Sequence, residues 1–189
     1  SLVGSEMCIR DSLSLAPLEL LAAREEVIKI SILHTNDIHS RIECFTSGRN
    51  KGVGGMLQLA SVIKQIRSEE ENILLLDAGD IFQGTPYFNY YGGELEFKLM
   101  SEMGFDASTL GNHDFDNGIE GLFKQLPHAN FPFLSANYDV SNTALNGHTL
   151  PYKIFNKNGI KIGVFGLGIE LAGLVDPKLY KDTLYIDPI

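Results

Sequence analysis

The chain has 189 residues, 44% of them hydrophobic, and a formal net charge of −9. Such a composition excludes a disordered tail or a membrane-spanning bundle and allows one ordinary domain or part of a larger one. A surplus of acid with no lysine–arginine cluster argues against nucleic acid as a partner. An anionic substrate would then need its countercharge from bound cations.

Residues 2–11, Leu-Val-Gly-Ser-Glu-Met-Cys-Ile-Arg-Asp, read as a translated transposase sequencing adapter, so residues 1–12 are set aside as an assembly artefact. Residues 13–26 read as a signal-peptide remnant, with a small-residue cleavage site near Ala22 or Ala23, or as an amphipathic amino-terminal tail. The first reading implies export, to a periplasm or out of the cell. No other apolar run approaches the roughly 20 residues of a spanning helix, so no membrane span is expected. With Cys8 in the artefact, Cys44 is the one remaining cysteine, and beside Phe45 it reads as a small hydrophobe, not a nucleophile.

Residues 27–34 alternate and are rich in Ile and Val, which predicts a buried strand. A glycine-rich polar loop follows over 40–55. Helical spacing of Leu59, Val62, Ile63 and Ile66 predicts a helix over 56–69. The short apolar run 73–76 has the look of a fully covered parallel strand. After a loop over 81–93, a helix is expected over 94–103 with Leu95, Leu99 and Met103 on its apolar side and Gly104 as its left-handed cap. A strand around 107–110, a helix over 119–126 stopped by Pro127 and a strand over 133–136 come next. The strands 152–155 and 160–165 flank Asn158-Gly159, a strong hairpin signal. Residues 176–189 show no clear element. Alternation of strands with helices predicts α/β layering.

Three of these strands end in groups that bind hard cations. The first runs into Asp37-Ile38-His39, the second into Gly79-Asp80 and the third into Gly111-Asn112-His113-Asp114-Phe115-Asp116. If the chain is still extended at Asp37 and His39, alternate side chains share a face and both ligands point the same way. Gly79 permits close backbone approach before Asp80. Any one of these groups alone is more often a turn or a hydrogen-bonded loop histidine; three in order at strand ends point to one site at the carboxyl edge of a sheet. A carboxylate can bridge two divalent cations, and a donor set mixing Asn, His and carboxylates suits Zn, Mn or Fe better than Mg. Gly52-x-Gly54-Gly55 does not complete a dinucleotide loop, because Leu57 stands where its last glycine belongs. Phe82, Tyr87, Phe88, Tyr90 and Tyr91 are expected to pack beneath the site's loops.

The ordered set Asp37-x-His39, Gly79-Asp80 and Gly111-Asn112-His113-Asp114 resembles the calcineurin-like metallophosphoesterases. Leu33-His34-Thr35-Asn36-Asp37, Asp77-Ala78-Gly79-Asp80, Gln83-Gly84-Thr85 and Asn112-His113-Asp114-Phe115-Asp116-Asn117-Gly118 are similar to the 5′-nucleotidase branch. The likeness runs from about residue 30 to 168. It implies a four-layer α-β-β-α sandwich, of which residues 27–189 would be the first half, and a cofactor of two divalent metal ions. It also implies that Asp37 and His39 bind the first ion, Asp80 bridges, Asn112 binds the second, and a metal-bound hydroxide attacks a phosphoester. His113, oriented by Asp116, would stabilise the transition state or protonate the leaving oxygen; Arg41 would touch phosphate.

Relatives of that kind add histidines from a later half, one of them in a Gly-His-x-His motif. Here only His128 and His148 follow the central stretch, and both read as surface residues. The carboxyl-terminal half or domain is therefore expected to be missing and the fragment alone to be a poor catalyst. The expected substrate is a small phosphoester, a nucleoside 5′-monophosphate first. The alternatives are a UDP-sugar, a 2′,3′-cyclic nucleotide or a thiosulfate ester on the same site, or a secreted non-catalytic binding protein with a vestigial site.

Overall fold

The computed structural model describes residues 27–189. The segments 1–12 and 13–26, read above as adapter artefact and signal remnant or tail, lie outside the described residues. Strands β1 (Ser31–Thr35), β2 (Ile73–Asp77), β3 (Ala107–Ser108) and β4 (Phe133–Leu134) alternate with helices α1 (Met56–Glu69), α2 (Pro86–Tyr91), α3 (Glu94–Met103) and α4 (Gly118–Gln125). Beyond them come β5 (Tyr138–Asp139), β6 (Thr149–Leu150), β7 (Tyr152–Lys157), β8 (Ile160–Phe165) and β9 (Leu184–Tyr185). Strands β1-β2-β3-β4-β6 form one parallel sheet in that order. β5 pairs with β9, and β7 with β8, each antiparallel. Among the described residues no helix is long and apolar enough to cross a membrane.

The sheet has two unlike faces. Side chains alternate along β2, so Leu75 joins the cluster built by Met56, Ile63, Phe97, Met100, Ile119 and Leu122 from the helices. Leu74 points the other way, where Ala107, Leu134 and Phe155 pack with Ile162 and Val164 of the hairpin. Leu74 and Leu75 are both fully buried, and each contributes about 1.5–3 kcal/mol by leaving water. Helices thus cover one face of the parallel sheet, and the β7–β8 hairpin packs on the other. The outer face of the hairpin is exposed at Tyr152, Ile154 and Phe165.

Helices α1 and α3 run over the residues that periodicity predicts. Gly104 caps α3 with φ of 72°, and the Arg67 guanidinium adds hydrogen bonds to the carbonyls of Met103 and Gly104. The buried stripe of α3 is rotated from the expected one. Phe97, Met100 and Met103 go into the core, while Leu95 and Leu99 line an apolar groove against α1. Val62 of α1, expected inside, is 53% exposed.

Other expectations need correction. The loop over 81–93 contains α2, which starts at Pro86 and ends at the left-handed Gly92, a pairing of start and stop residues that marks a helix. Helix α4 ends at Gln125, and Pro127 sits in a 3₁₀ turn, Leu126–His128. Residues 176–189 hold β9. His148 precedes a strand of the main sheet and packs edge-on against Phe123, yet it is exposed as expected.

Candidate active site

The carboxyl ends of β1 and β2 do not splay apart after the strands stop. Ala78 N–H donates to Thr35 O at 2.9 Å, Asp37 N–H to Gly79 O at 3.0 Å, His39 N–H to Asp80 O at 3.0 Å and Ser40 N–H to Ile81 O at 2.8 Å. This ladder lays the Asp37–His39 loop along the Asp80 loop. Within it the backbone is strained: Asp37, His39, Ser40, Asp80 and Gln83 have φ of 51°, 47°, 50°, 56° and 70°. Left-handed conformations in non-glycine residues cost of order 1–3 kcal/mol each, and they gather where function over-determines the chain. The extended geometry expected at Asp37 and His39 is therefore wrong. A left-handed turn brings the two side chains together.

One ligand atom from each of Asp37, His39 and Asp80 lies within 4.8 Å of the others. His39 Nδ1–H donates to Phe82 O at 3.2 Å, which leaves Nε2 free and facing Asp37 Oδ1 at 3.6 Å. An imidazole held through one nitrogen so that the other presents its lone pair is the usual posture of a metal ligand. Two carboxylates and such an imidazole suit a divalent cation.

The third loop is pressed against the second. A Cβ on Gly79 would meet Gly111 N at 2.5 Å, and a Cβ on Gly111 would meet Asp80 Oδ1 at 2.2 Å. Only a residue without a side chain fits at either point. His113 N–H donates to Asp80 Oδ1 at 2.9 Å, fixing that carboxylate. His113 opens a short 3₁₀ turn, His113–Phe115, and its Nδ1–H donates to Asp116 Oδ2 at 2.9 Å. The His39 and His113 rings meet edge to face, 5.1 Å between centroids.

The structure thus unites Asp37, His39, Asp80, His113 and Asp116, while Asn112 directly precedes the His113 N–H that binds Asp80. The Arg41 guanidinium lies 4.4 Å from the centre of the Phe45 ring. Of the aromatic group expected beneath the loops, Phe82 and Phe88 are buried, but Tyr90 is 86% and Tyr91 48% exposed.

Negative charge dominates the site. Burial works against the protonated form of His113, but the hydrogen bond to Asp116, its charge, and those of Asp80 and Asp114 outweigh it and raise the pKa above the ordinary imidazole value. Burial pushes the Asp77 carboxyl up to about 6, against hydrogen bonds from Thr35, Gly79 and Ser108, with the charge of Asp37 adding to the rise. Burial likewise raises Asp114, which backbone N–H groups of Gly111 and Phe82 oppose.

Two of these carboxylates, Asp77 and Asp114, stand in the sequence motifs without a role of their own. Asp77 receives Thr35 Oγ1–H at 2.6 Å, Gly79 N–H at 2.9 Å and Ser108 Oγ–H at 2.9 Å, joining the ends of β1, β2 and β3. Asp114 is fully buried and bonds back to Gly111, three residues earlier. An aspartate three residues after a glycine is a local backbone-binding pattern, and it was the available signal.

The calcineurin-like phosphoesterase family profile matches residues 30–183. A snake venom 5′-nucleotidase of Gloydius brevicauda is 44% identical over 147 residues, 73% of this chain and 25% of that protein. The crystal structure of a 5′-nucleotidase precursor from Thermus thermophilus superposes with a TM-score of 0.74 and 34% identity, covering 84% of this chain and 32% of that one. A Haemophilus influenzae NAD nucleotidase gives a TM-score of 0.74 and 34% identity over 84% of this chain and 30% of its own. The chain spans between 25% and 29% of the length of the curated relatives it matches.

Proposed function

The chain belongs to the calcineurin-like phosphoesterase family, and from that premise we propose that the protein hydrolyses nucleoside 5′-monophosphates with two divalent cations. The observation that carries this reading is the cluster of Asp37, His39 and Asp80 ligand atoms within 4.8 Å, adjoining the His113–Asp116 pair. Asp37 and His39 would hold one ion, Asp80 both, and Asn112 the second; the mixed donor set suits Zn, Mn or Fe. When bound, such ions neutralise charge on the phosphoryl oxygens and lower the pKa of water at the site.

The protein's own groups supply the rest. Phe82 O holds His39 Nδ1–H and so aims Nε2 into the ligand cluster. His113 N–H keeps the Asp80 carboxylate turned toward the same point. With Nδ1–H committed to Asp116, His113 carries at Nε2 the proton that the leaving 5′-oxygen needs. Arg41 would reach the phosphate only by leaving the Phe45 ring.

The 5′-nucleotidases among the relatives support the monophosphate ahead of a UDP-sugar, a 2′,3′-cyclic nucleotide or a thiosulfate ester. The paired His113 and Asp116 argue against a vestigial site in a binding protein. A venom protein and a precursor among the similar proteins support an exported, periplasmic or secreted, product. Residues 27–189 are read as part of a four-layer domain. Phosphate release from 5′-AMP by the full-length protein, assayed with Mn²⁺ and with chelator, tests the assignment. Release that the chelator abolishes is expected; release that it leaves untouched, or none from the folded, metal-supplied protein, refutes it.

A further inference from the structure

We propose that Asp114 is the positioning residue that sets the separation between the Asp80 loop and the Asn112–His113 loop, and with it the affinity for divalent cations; this rests on the metal-site reading above. The side chain is fully buried, and each of its oxygens takes two backbone donors. Oδ2 accepts Gly111 N–H at 2.8 Å and Asp80 N–H at 3.1 Å. Oδ1 accepts Ile81 N–H at 2.9 Å and Phe82 N–H at 3.2 Å. Four donors fill the lone-pair positions of a carboxylate, and no uncharged side chain of that size accepts as many.

Those donors belong to the residues that matter for ligand geometry. Asp80 is the bridging carboxylate. Phe82 supplies the carbonyl that orients His39. Gly111 is the residue against which Gly79 and Asp80 close. Capping its own 3₁₀ turn would occupy one Asp114 oxygen with one local N–H; the other three bonds cross to a loop more than thirty residues away. Asp114 therefore ties together two loops that approach through glycines, adding three cross-loop bonds to the one that His113 N–H makes to the Asp80 carboxylate.

In Asp114→Asn an NH₂ group faces two of the N–H donors, so the loops must part. Groups that hold metal ligands from behind typically contribute 10–100-fold in metal affinity. The test titrates the full-length protein with Mn²⁺, following the free ion by electron paramagnetic resonance, in the parent, Asp114→Asn and Asp114→Ser. The serine variant leaves room for water to satisfy the freed donors, so it carries the test if the asparagine variant does not fold. Leu122→Ala, a cavity in the core of α4 at a fully buried position, controls for lost stability. The Asp114 variants are expected to bind Mn²⁺ 10–100-fold more weakly, while Leu122→Ala keeps the parent affinity. Parent-like binding in the Asp114 variants overturns the inference alone, as does an equal loss in Leu122→Ala. A folded parent that takes up no Mn²⁺ overturns the metal-site reading and the inference with it.

Discussion

Gly111→Ala perturbs the site by a single methyl group. The added Cβ would lie 2.2 Å from Asp80 Oδ1 and 2.4 Å from Asp80 N, whereas ordinary contact begins near 3.4 Å. The carboxylate end can rotate away, but the backbone nitrogen cannot. The Asp80 loop must therefore retreat by about 1 Å, and β2 and the Asp37–His39 ladder resist that retreat. Overpacking of this kind costs about 1–3 kcal/mol in stability. A misplacement of about 1 Å at a reacting centre costs on the order of 100-fold in rate. We expect kcat/KM for 5′-AMP to fall by about two orders of magnitude, while urea unfolding shows the variant still folded at 25 °C. A variant within twofold of the parent in kcat/KM would refute the claim that these two loops close only over a residue without a side chain.

Further outcomes follow from the same geometry. Asp116→Asn removes the charge and weakens the hydrogen bond that raise the His113 pKa; a rate loss of about 10²–10⁴ is expected. The high-pH limb of the kcat/KM profile should also move to lower pH, because the imidazolium then loses its proton earlier. Asp77 has its folded pKa raised from 3.8 to about 6, so the folded chain binds a proton that the unfolded chain has released. Stability attributable to this group must fall as pH rises from about 4 to about 6, by at most about 3 kcal/mol. Urea titrations of Asp77→Asn should lack that slope, and an unchanged slope would discard the assignment. Supplying Mn²⁺ at about a hundred times its dissociation constant should raise stability by about 2.7 kcal/mol, reversibly on chelation; a thermal midpoint indifferent to both would count against the site.

Much of this protein was legible without coordinates because the relevant physics is local. The boundaries of α1 and α3 follow from spacing and from Gly104, and the β7–β8 hairpin from Asn158-Gly159. Asp37, His39 and Asp80, whose ligand atoms the fold gathers within 4.8 Å of one another, stand in the sequence as polar groups close behind apolar runs. The parallel order of β1, β2 and β3 follows from the helices between them.

Tertiary structure decided the rest, because it depended on partners far away in the chain. Which stripe of α3 is buried depends on where α1 and the sheet stand, so Phe97 and Met100 fill the core while Leu95 and Leu99 are only half-buried. β5 and β9 are each two residues long and exist only by pairing across more than forty residues. Sequence named Asp37 and His39, but the turn that joins them came from the ladder with the Asp80 loop. Asp114 looked like one more polar letter in a motif. It is a clamp because folding brings the N–H groups of Asp80, Ile81 and Phe82 onto one buried carboxylate, and unsatisfied N–H groups cannot be left inside a protein.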